Sequence, residues 1–510
     1  MKLYKTISAI LAVCMLAGSC ITPAASADDI TPADASLHYG DVNEDGSVDV
    51  ADAVAVARYY TMDRTLLITD NGKAQGDVNL DGNLDDKDLT QILEFIARKR
   101  TVLGAAEQKT TPKFQAVNLT EGIEPDGVMA TEADEVFLAS QMKLTAELFK
   151  GAAADPQTTD NLLISPLSVS QALAMTANGA ADDSATQSEM EKLLGDTLDI
   201  EALNHYYLGY TSKLTASDEL HLANSLWIRD DERRIQVPKP FLQTAKDYYN
   251  ADAFMAPFND TTVTDVNNWV NENTNKMIPK LINEVTPEWI MLLINALAFD
   301  AEWSSPYTEY DVHDAVFHAY DGDMTVEMMY DDEYIYIEDE EATGFIKPYK
   351  GGNYSFAAVL PKKEISDYVS TLTGESLQKL LNSRQNVTVH TMLPKFKYDY
   401  TIEMNDMLKV MGMRAPFEEG AAHFNKLNSV NDGKSTFIDL VLHKTFIQVD
   451  ERGTKAGAVT MVAMADNAAP MNAKQVYLDH PFIYMILDNK TNLPVFIGYV
   501  MHPTAVEAAE

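Results

Sequence analysis

The sequence predicts a large α+β domain preceded by a small all-helical module. Three observations carry that reading. An acidic motif occurs twice near the start, at residues 40–52 and again 36 positions later at 76–88. From Thr131 onward, amphipathic helical stretches are mixed with short, continuously apolar runs suited to strands buried on both faces. Between residues 450 and 480 lies a long stretch of small residues.

The chain has 510 residues, which at roughly 150 per domain allows two to four domains, or one large domain with attachments. With 46% hydrophobic and 23% charged residues it falls among ordinary globular chains, so collagen-like, wholly disordered and multi-span membrane classes are excluded. Its 39 basic residues against 77 acidic ones leave a net charge of −38, which repels phosphate backbones and anionic lipid and argues against nucleic acid and membrane as partners.

Lys2 and Lys5 precede an apolar stretch from Ile7 to Ala17, and Ala25-Ser26-Ala27 is a cleavage pattern, so residues 1–27 read as an export signal. An alternative at Leu16 to Cys20 loosely resembles a lipoprotein-processing box. Both cysteines, Cys14 and Cys20, lie in this segment, which leaves a cleaved chain no disulfide, thiol nucleophile or thiolate metal site. No later apolar run approaches the ~20 residues that span a bilayer.

In the repeated motif the spacing of oxygen donors carries the chemistry. Asp41, Asn43 and Asp45, and then Asp77, Asn79 and Asp81, stand at loop positions 1, 3 and 5, where their oxygens can converge on one hard cation. Gly46 and Gly82 occupy the sharp turn at position 6. Backbone carbonyls of Ser47 and Asn83 supply position 7, Asp49 and Asp85 position 9, and Asp52 and Asp88 close the loops at position 12. Two calcium ions are the expected cofactors. A helical pattern follows each loop, Ala53 to Tyr60 and Leu89 to Arg98, whereas Ile30 to Tyr39 before the first loop lacks periodicity.

This loop-then-helix pair, closed by Asp rather than Glu, resembles the dockerin module of bacterial cellulosomes over roughly residues 38–100, within a module taken as 28–100. The resemblance implies a cohesin module of a scaffold protein as partner. The residues that would set its choice are Val50, Ala51, Tyr59, Tyr60, Asp86, Lys87, Arg98 and Lys99, and they differ between the copies, which argues against a symmetric binding mode. From Thr101 to Met129 the periodicity fades and Gly, Pro and Thr punctuate the chain, so 101–129 reads as a linker.

The large domain is read as residues 130–504, with 505–510 as a tail. Helices are predicted at Glu132 to Lys150 and Ser168 to Asn178, the second opening after Pro166. Strands are predicted at Leu220 to Ile228, Met291 to Phe299, Tyr334 to Ile337, Tyr354 to Leu360, Val387 to Met392, Phe437 to Val449, Phe482 to Leu487 and Val495 to Val500. No G-x-S-x-G, H-E-x-x-H or Walker loop occurs, and the histidines show no ligand spacing, so the chain reads as no enzyme.

Seven segments appear together: NLLISPLS at 161–168, LANSLW at 222–227, VNNWVNENT at 266–274, LINALAFDAEW at 293–303, LPKFK at 393–397, HKTFIQVDERGTKAGAVT at 443–460 and HPFIYMI at 480–486. In this order over residues 130–503 they resemble the serpin family of serine protease inhibitors. The resemblance implies helices around large β-sheets with a mobile reactive loop. It also implies a suicide mechanism: a target protease cleaves the loop, is held as an acyl-enzyme, and is disabled as the loop's amino-terminal half enters a sheet as a new strand.

The residues support such a loop independently. After Arg452 only Lys455 and Asp466 are charged up to Pro470, and alternate residues Thr454, Ala456, Ala458, Thr460, Val462 and Met464 form one small-to-apolar face that can enter a core. Insertion of such a loop into a sheet is a form of strand addition. The hinge is expected at Glu451, Gly453, Thr454, Ala456, Ala458 and Thr460. Counting the family's usual loop length places the scissile bond between Asn467 and Ala468, with cleavage after Met464 or Asp466 also compatible. Small neighbours and the absence of Lys or Arg between Met461 and Ala473 favour a subtilisin-like or elastase-like target, while Asn467 also admits an asparaginyl cysteine protease.

By the same resemblance Ser165, Ser168, Asn295 and His443 control sheet opening, with His443 bonding Asn295. Trp303 lies where the loop first enters, and Glu451 pairs there with Lys395. A secreted inhibitor follows, extracellular, or at the cell surface where its scaffold is cell-attached. A non-inhibitory serpin serving as a binding module is the alternative.

Overall fold

The computed structural model describes residues 37–60, 68–80, 83–96, 103–104, 114–286, 288–430, 436–454 and 473–504. They fall into two compact units, which divide between Lys113 and Phe114.

In the small unit α1 (Val50–Tyr60) and α3 (Asp86–Ile96) follow the two acidic loops. Each helix starts three residues earlier than its apolar periodicity suggests, because a loop's closing carboxylate falls in the first helical turn, where it meets the positive end of the helix dipole. A short helix absent from the sequence reading, α2 (Asp70–Gly76), is opened by Thr69, whose hydroxyl accepts the Gly72 N–H at 2.9 Å. Val42, Val56, Val78 and Ile92 form the centre of its core. Val54 and Tyr59 of α1 are among its exposed residues.

The linker proves shorter than expected at both ends. Leu103 is buried in the small core, the Gly104 N–H donates to Val78 O at 3.0 Å, and a Cβ on Gly104 would stand 2.0 Å from the Tyr39 ring. At the other end, residues 114–129 belong to the large unit. Val117 and Asn118 form β1, and the Gln115 and Ala116 N–H groups both donate to Asp265 Oδ2 at 2.9 Å. The residues between, 105–113, lie outside those described, as do the export signal and the tail.

The large unit continues through α4 (Glu135–Ala153), β2 (Leu162–Ile164), α5 (Pro166–Ala177), α6 (Ala185–Gly195), α7 (Ile200–Leu214), β3 (Leu220–Arg229), α8 (Lys239–Tyr249), β4 (Asp252–Ala256) and α9 (Asp260–Asn273). Then come β5 (Met291–Phe299), β6 (Ala301–Glu302), β7 (Val312–Ala319), β8 (Gly322–Glu338), β9 (Ala342–Pro348), β10 (Tyr354–Pro361), α10 (Ile365–Thr371) and α11 (Gly374–Asn382). Last are β11 (Gln385–Pro394), β12 (Phe396–Glu403), α12 (Asn405–Val410), β13 (Leu442–Val449), β14 (Gly453–Thr454), β15 (Lys474–Tyr477), β16 (Phe482–Asp488) and β17 (Pro494–Val500).

These strands build three sheets. One runs β1-β4-β3-β5 and another β12-β13-β14-β6; the largest runs β15-β11-β8-β9-β10-β16-β17-β2 with β7 on β8. Because β6 follows β5 after the single residue Asp300, the two four-stranded sheets are joined by one chain direction. Strands β10, β16 and β17 are buried almost throughout, as continuous apolar runs require. The predicted strand at Phe437 enters a ladder only from Leu442. Phe114 packs against Trp227 and Phe254, with ring centroids 6.2 and 5.5 Å away, covering the outer side of the β1-β4-β3-β5 sheet.

Candidate functional site

Strand β13 is paired with β12 along its whole length, from Phe396↔Val449 to Glu403↔Leu442. Strand β5 is paired with β3 from Leu220↔Phe299 to Ile228↔Met291. Among the described residues the facing edges of β5 and β13 are not paired with each other; a slot separates them, filled only at its upper end by β14. There Thr454 sits opposite Val449 of β13 and Ala301 of β6.

The upper end of the slot is built around Trp303. Its indole stacks on Tyr349 with centroids 4.6 Å apart, its Nε1 donates to Asp450 O at 2.9 Å, and its backbone N–H donates to Arg452 O at 2.8 Å. The Tyr307 N–H donates to Glu451 O at 2.8 Å, so the three successive carbonyls of Asp450, Glu451 and Arg452 are held. Gly453 is required by the close approach of chains, since a Cβ would lie 2.1 Å from Ala301 O. The Thr454 side chain is buried, its hydroxyl 2.5 Å from Tyr349 Oη. The expected pair forms: Lys395 Nζ lies 2.9 Å from a Glu451 oxygen and 3.3 Å from one of Glu327. Against the desolvation that lowers it, these carboxylates hold the Lys395 pKa above its ordinary value. Behind Trp303, buried Lys347 pairs with Asp331 at 3.0 Å and Glu333 at 2.5 Å, and burial pushes the Glu333 carboxyl up to about 6.

The lower slot departs from expectation. His443 does not bond Asn295; its Nε2 accepts the backbone N–H of Ser165 at 3.0 Å. Asn295 instead accepts from the Ser168 hydroxyl and donates to Asn224 Oδ1 at 2.5 Å. Ser165, the N-cap of α5, accepts the Ser168 N–H and donates to Val495 O. The first turn of α5 therefore holds both lips, Ser165 the β13 side and Ser168 the β5 side. A small cavity opens between Leu293 and Asn295 of β5, Leu442 and His443 of β13, and Ser168 and Ala172 of α5. Burial depresses the His443 pKa to about 4, so the imidazole is neutral and free to accept. Asn224 and Thr445 stand inside quoted segments that gave them no role, and Tyr349 in none; the Thr445 hydroxyl donates to Leu163 O at 2.8 Å and ties β13 to β2. Ala456, Ala458, Thr460, Asn467 and Ala468 lie outside the described residues.

In the small unit the first loop is wound around its own carboxylates. Asp41 accepts the N–H groups of Asp45 and Gly46 at 3.0 and 2.9 Å, and Asp45 accepts that of Ser47 at 3.0 Å. Buried Asp52 accepts from Asn43 and Asp49. The second loop repeats the plan, with Asp88 accepting from Val78, Asn79 and Asp85. Glu44 and Leu80, both at position 4, have φ of 60° and 62°, so the turns superpose in conformation as well as in sequence. Burial, with Asp77 and Asp85 adding, pushes the Asp88 carboxyl up to about 6. An all-oxygen, anionic donor set with a buried closing carboxylate fits a hard divalent cation. Among the described residues no three carboxylates are drawn together as a finished ligand cluster, so the oxygens would close in around the ion. Asp81, Gly82, Arg98 and Lys99 lie outside the described residues, as do the side chains of Tyr60 and Asp86. Ala51, Tyr59 and Lys87 are exposed and Val50 partly so.

The model of the serpin (serine protease inhibitor) family matches residues 139–503. That of the dockerin type I domain matches residues 39–96. An uncharacterised serpin-like protein of Thermococcus kodakarensis is 30% identical over 371 residues, covering 70% of this chain and 84% of the relative. Leukocyte elastase inhibitor A of Mus musculus is 30% identical over 375 residues, covering 70% and 97%. The native-state crystal structure of the thermophilic serpin Tengpin matches with a TM-score of 0.72 and 45% identity, over 76% of this chain and all of that one. The chain belongs to the serpin family and carries an N-terminal dockerin type I module. Serpins are for the most part inhibitors rather than catalysts, and dockerin type I domains generally bind calcium and imply a cohesin partner. Among the described residues no helix is long and apolar enough to cross a membrane.

Proposed function

We propose that this chain is a secreted suicide inhibitor of serine proteases of the subtilisin-like or elastase-like kind, tethered through its dockerin to a cohesin-bearing scaffold. The slot between β5 and β13, with Gly453 and Thr454 already seated at its upper end, carries the reading. It offers a growing strand two unpaired edges, and Thr454 stands where such a strand would start. The protease would cut between Asn467 and Ala468. Residues 455 onward would then follow Thr454 down the slot, parting the two lips that Ser165 and Ser168 hold. Two calcium ions, one per acidic loop, would order the dockerin for its cohesin, with Val50, Ala51, Tyr59, Tyr60, Asp86, Lys87, Arg98 and Lys99 as the contact residues.

Incubation with subtilisin, followed by denaturing electrophoresis and mass spectrometry of the released peptide, tests this. The expected result is a covalent complex at the summed mass less that of the carboxyl-terminal peptide, and a released peptide beginning at Ala468. Complete cleavage without complex, or no cleavage at all, would hand the assignment to the non-inhibitory binding module.

A further inference from the structure

We propose that His318 and His480 form a binding site for a zinc-class transition-metal ion on the β7–β8 hairpin. His318 lies near the end of β7 opposite Asp323 of β8, and its Nδ1 is 2.7 Å from Asp323 Oδ1. His480 lies between β15 and β16, and its Nδ1 is 2.7 Å from Asp479 Oδ1. The backbone N–H of His318 donates to Asp479 O at 2.7 Å, which fixes the two chain segments against each other. The ring centroids are 4.8 Å apart and the planes are inclined by 40°.

Both rings thus have Nδ1 committed to a carboxylate, which makes Nδ1 the donor and puts the lone pair on Nε2. This is the arrangement in which metal-ligating imidazoles are held, the carboxylate setting the tautomer and raising ligand basicity. Two imidazoles bound to one ion at ~2.0–2.1 Å, with an N–metal–N angle between a right angle and the tetrahedral value, place their centroids roughly 4.5–5.2 Å apart. The observed spacing lies inside that range. The side chains are 45% and 57% exposed, so an ion can reach them and water can complete the coordination. The surroundings favour a cation, because residues 309–341 hold 13 carboxylates and no Lys or Arg. Imidazole ligands select zinc, copper or nickel over the calcium suited to the all-oxygen loops of the small unit. A bound ion would rivet the hairpin to the segment between β15 and β16, on the carboxyl-terminal side of residues 455–472.

Calorimetric titration of the full-length, calcium-saturated chain with zinc chloride tests the site. One zinc per chain is expected beyond the calcium loops. His318→Ala, an exposed change, should weaken it at least tenfold, and His480→Gln should do the same. Asp323→Asn should weaken it about 10- to 100-fold, the usual effect of losing an outer-shell carboxylate. His313→Ala on the same strand should leave it unaltered. Because His480 adjoins buried β16, the His318 variant, with circular dichroism matching the parent, decides the matter. Unchanged affinity in His318→Ala, equal loss in His313→Ala, or no zinc uptake by the parent chain at ~100 μM would each overturn the proposal.

Discussion

Thr454 is 2% exposed and hydrogen-bonded to Tyr349 at the head of the slot, so its replacement by Arg would put an unpaired guanidinium where the new strand must begin. Burying that charge costs several kcal/mol and delays insertion past deacylation. The expected outcome for Thr454→Arg is cleavage by subtilisin at the parental rate with the covalent complex reduced to a trace, read on a denaturing gel; parental complex yield would rule out hinge insertion. His443 supplies a pH test. Its folded pKa of about 4 lies below the ordinary 6.5, so between those values the unfolded chain binds the proton more readily. The stability His443 contributes is complete above pH 6.5 and falls as pH drops through the window, by about 3 kcal/mol in all. A proton on Nε2 would also confront the Ser165 N–H that it now accepts. From pH 7 to pH 5 the parent should therefore lose more melting temperature than His443→Asn; parallel losses would mean other groups dominate. The Lys395–Glu451 pair was legible because both residues stand inside recognisable segments. The partner of His443 was not, since only the helical turn at Ser165–Ser168 decides which serine serves which lip.

Helices α1 and α3 begin within the last positions of the acidic loops, so binding of the proposed calcium ions would be coupled to helix formation in the small unit. Two calcium ions per chain are expected by calorimetry. Chelator should abolish the module's helical ellipticity and any cohesin binding while leaving the large unit's melt in place, because the two cores are separate. An unaltered spectrum in chelator would refute the donor assignment. At this scale, legibility followed burial. Strands β10, β16 and β17 were plain because both faces are apolar, whereas the β7–β8 hairpin was missed except for its end, its acidic, half-exposed residues hiding the alternation. Residues 114–129 were read as linker from their Gly and Pro content. Their order comes from an edge strand elsewhere in the chain, β4, and from Asp265, 150 positions after Gln115, and neither is visible in local pattern.

For the whole molecule, the edges of β5 and β13 left without a ladder partner among the described residues would offer about a dozen ladder hydrogen bonds to one additional strand. At ~1 kcal/mol each, with apolar burial of ~25 cal/mol per Å² added, insertion outweighs the ~5–15 kcal/mol that holds a typical domain. On the proposed mechanism the intact form would be a kinetic trap, latched by the α5 turn under the slot. A chain nicked anywhere in residues 460–469 should melt at least about 10 °C above the intact one; equal melting temperatures would make the segment a plain connector. The strap at the start of the large unit has a mechanical consequence. Any tension on the small unit reaches the serpin body at Phe114, where the aromatic ring, the two ladder residues of β1 and two hydrogen bonds to Asp265 take it first, ahead of the Leu119 and Thr120 bonds to Ala253. With fewer ladder bonds than the strands behind it, that contact would yield first and could re-form once slack returned. On the proposed tether, a moving scaffold would tug on this strap as on a fuse before the load reached the α5 turn under the slot.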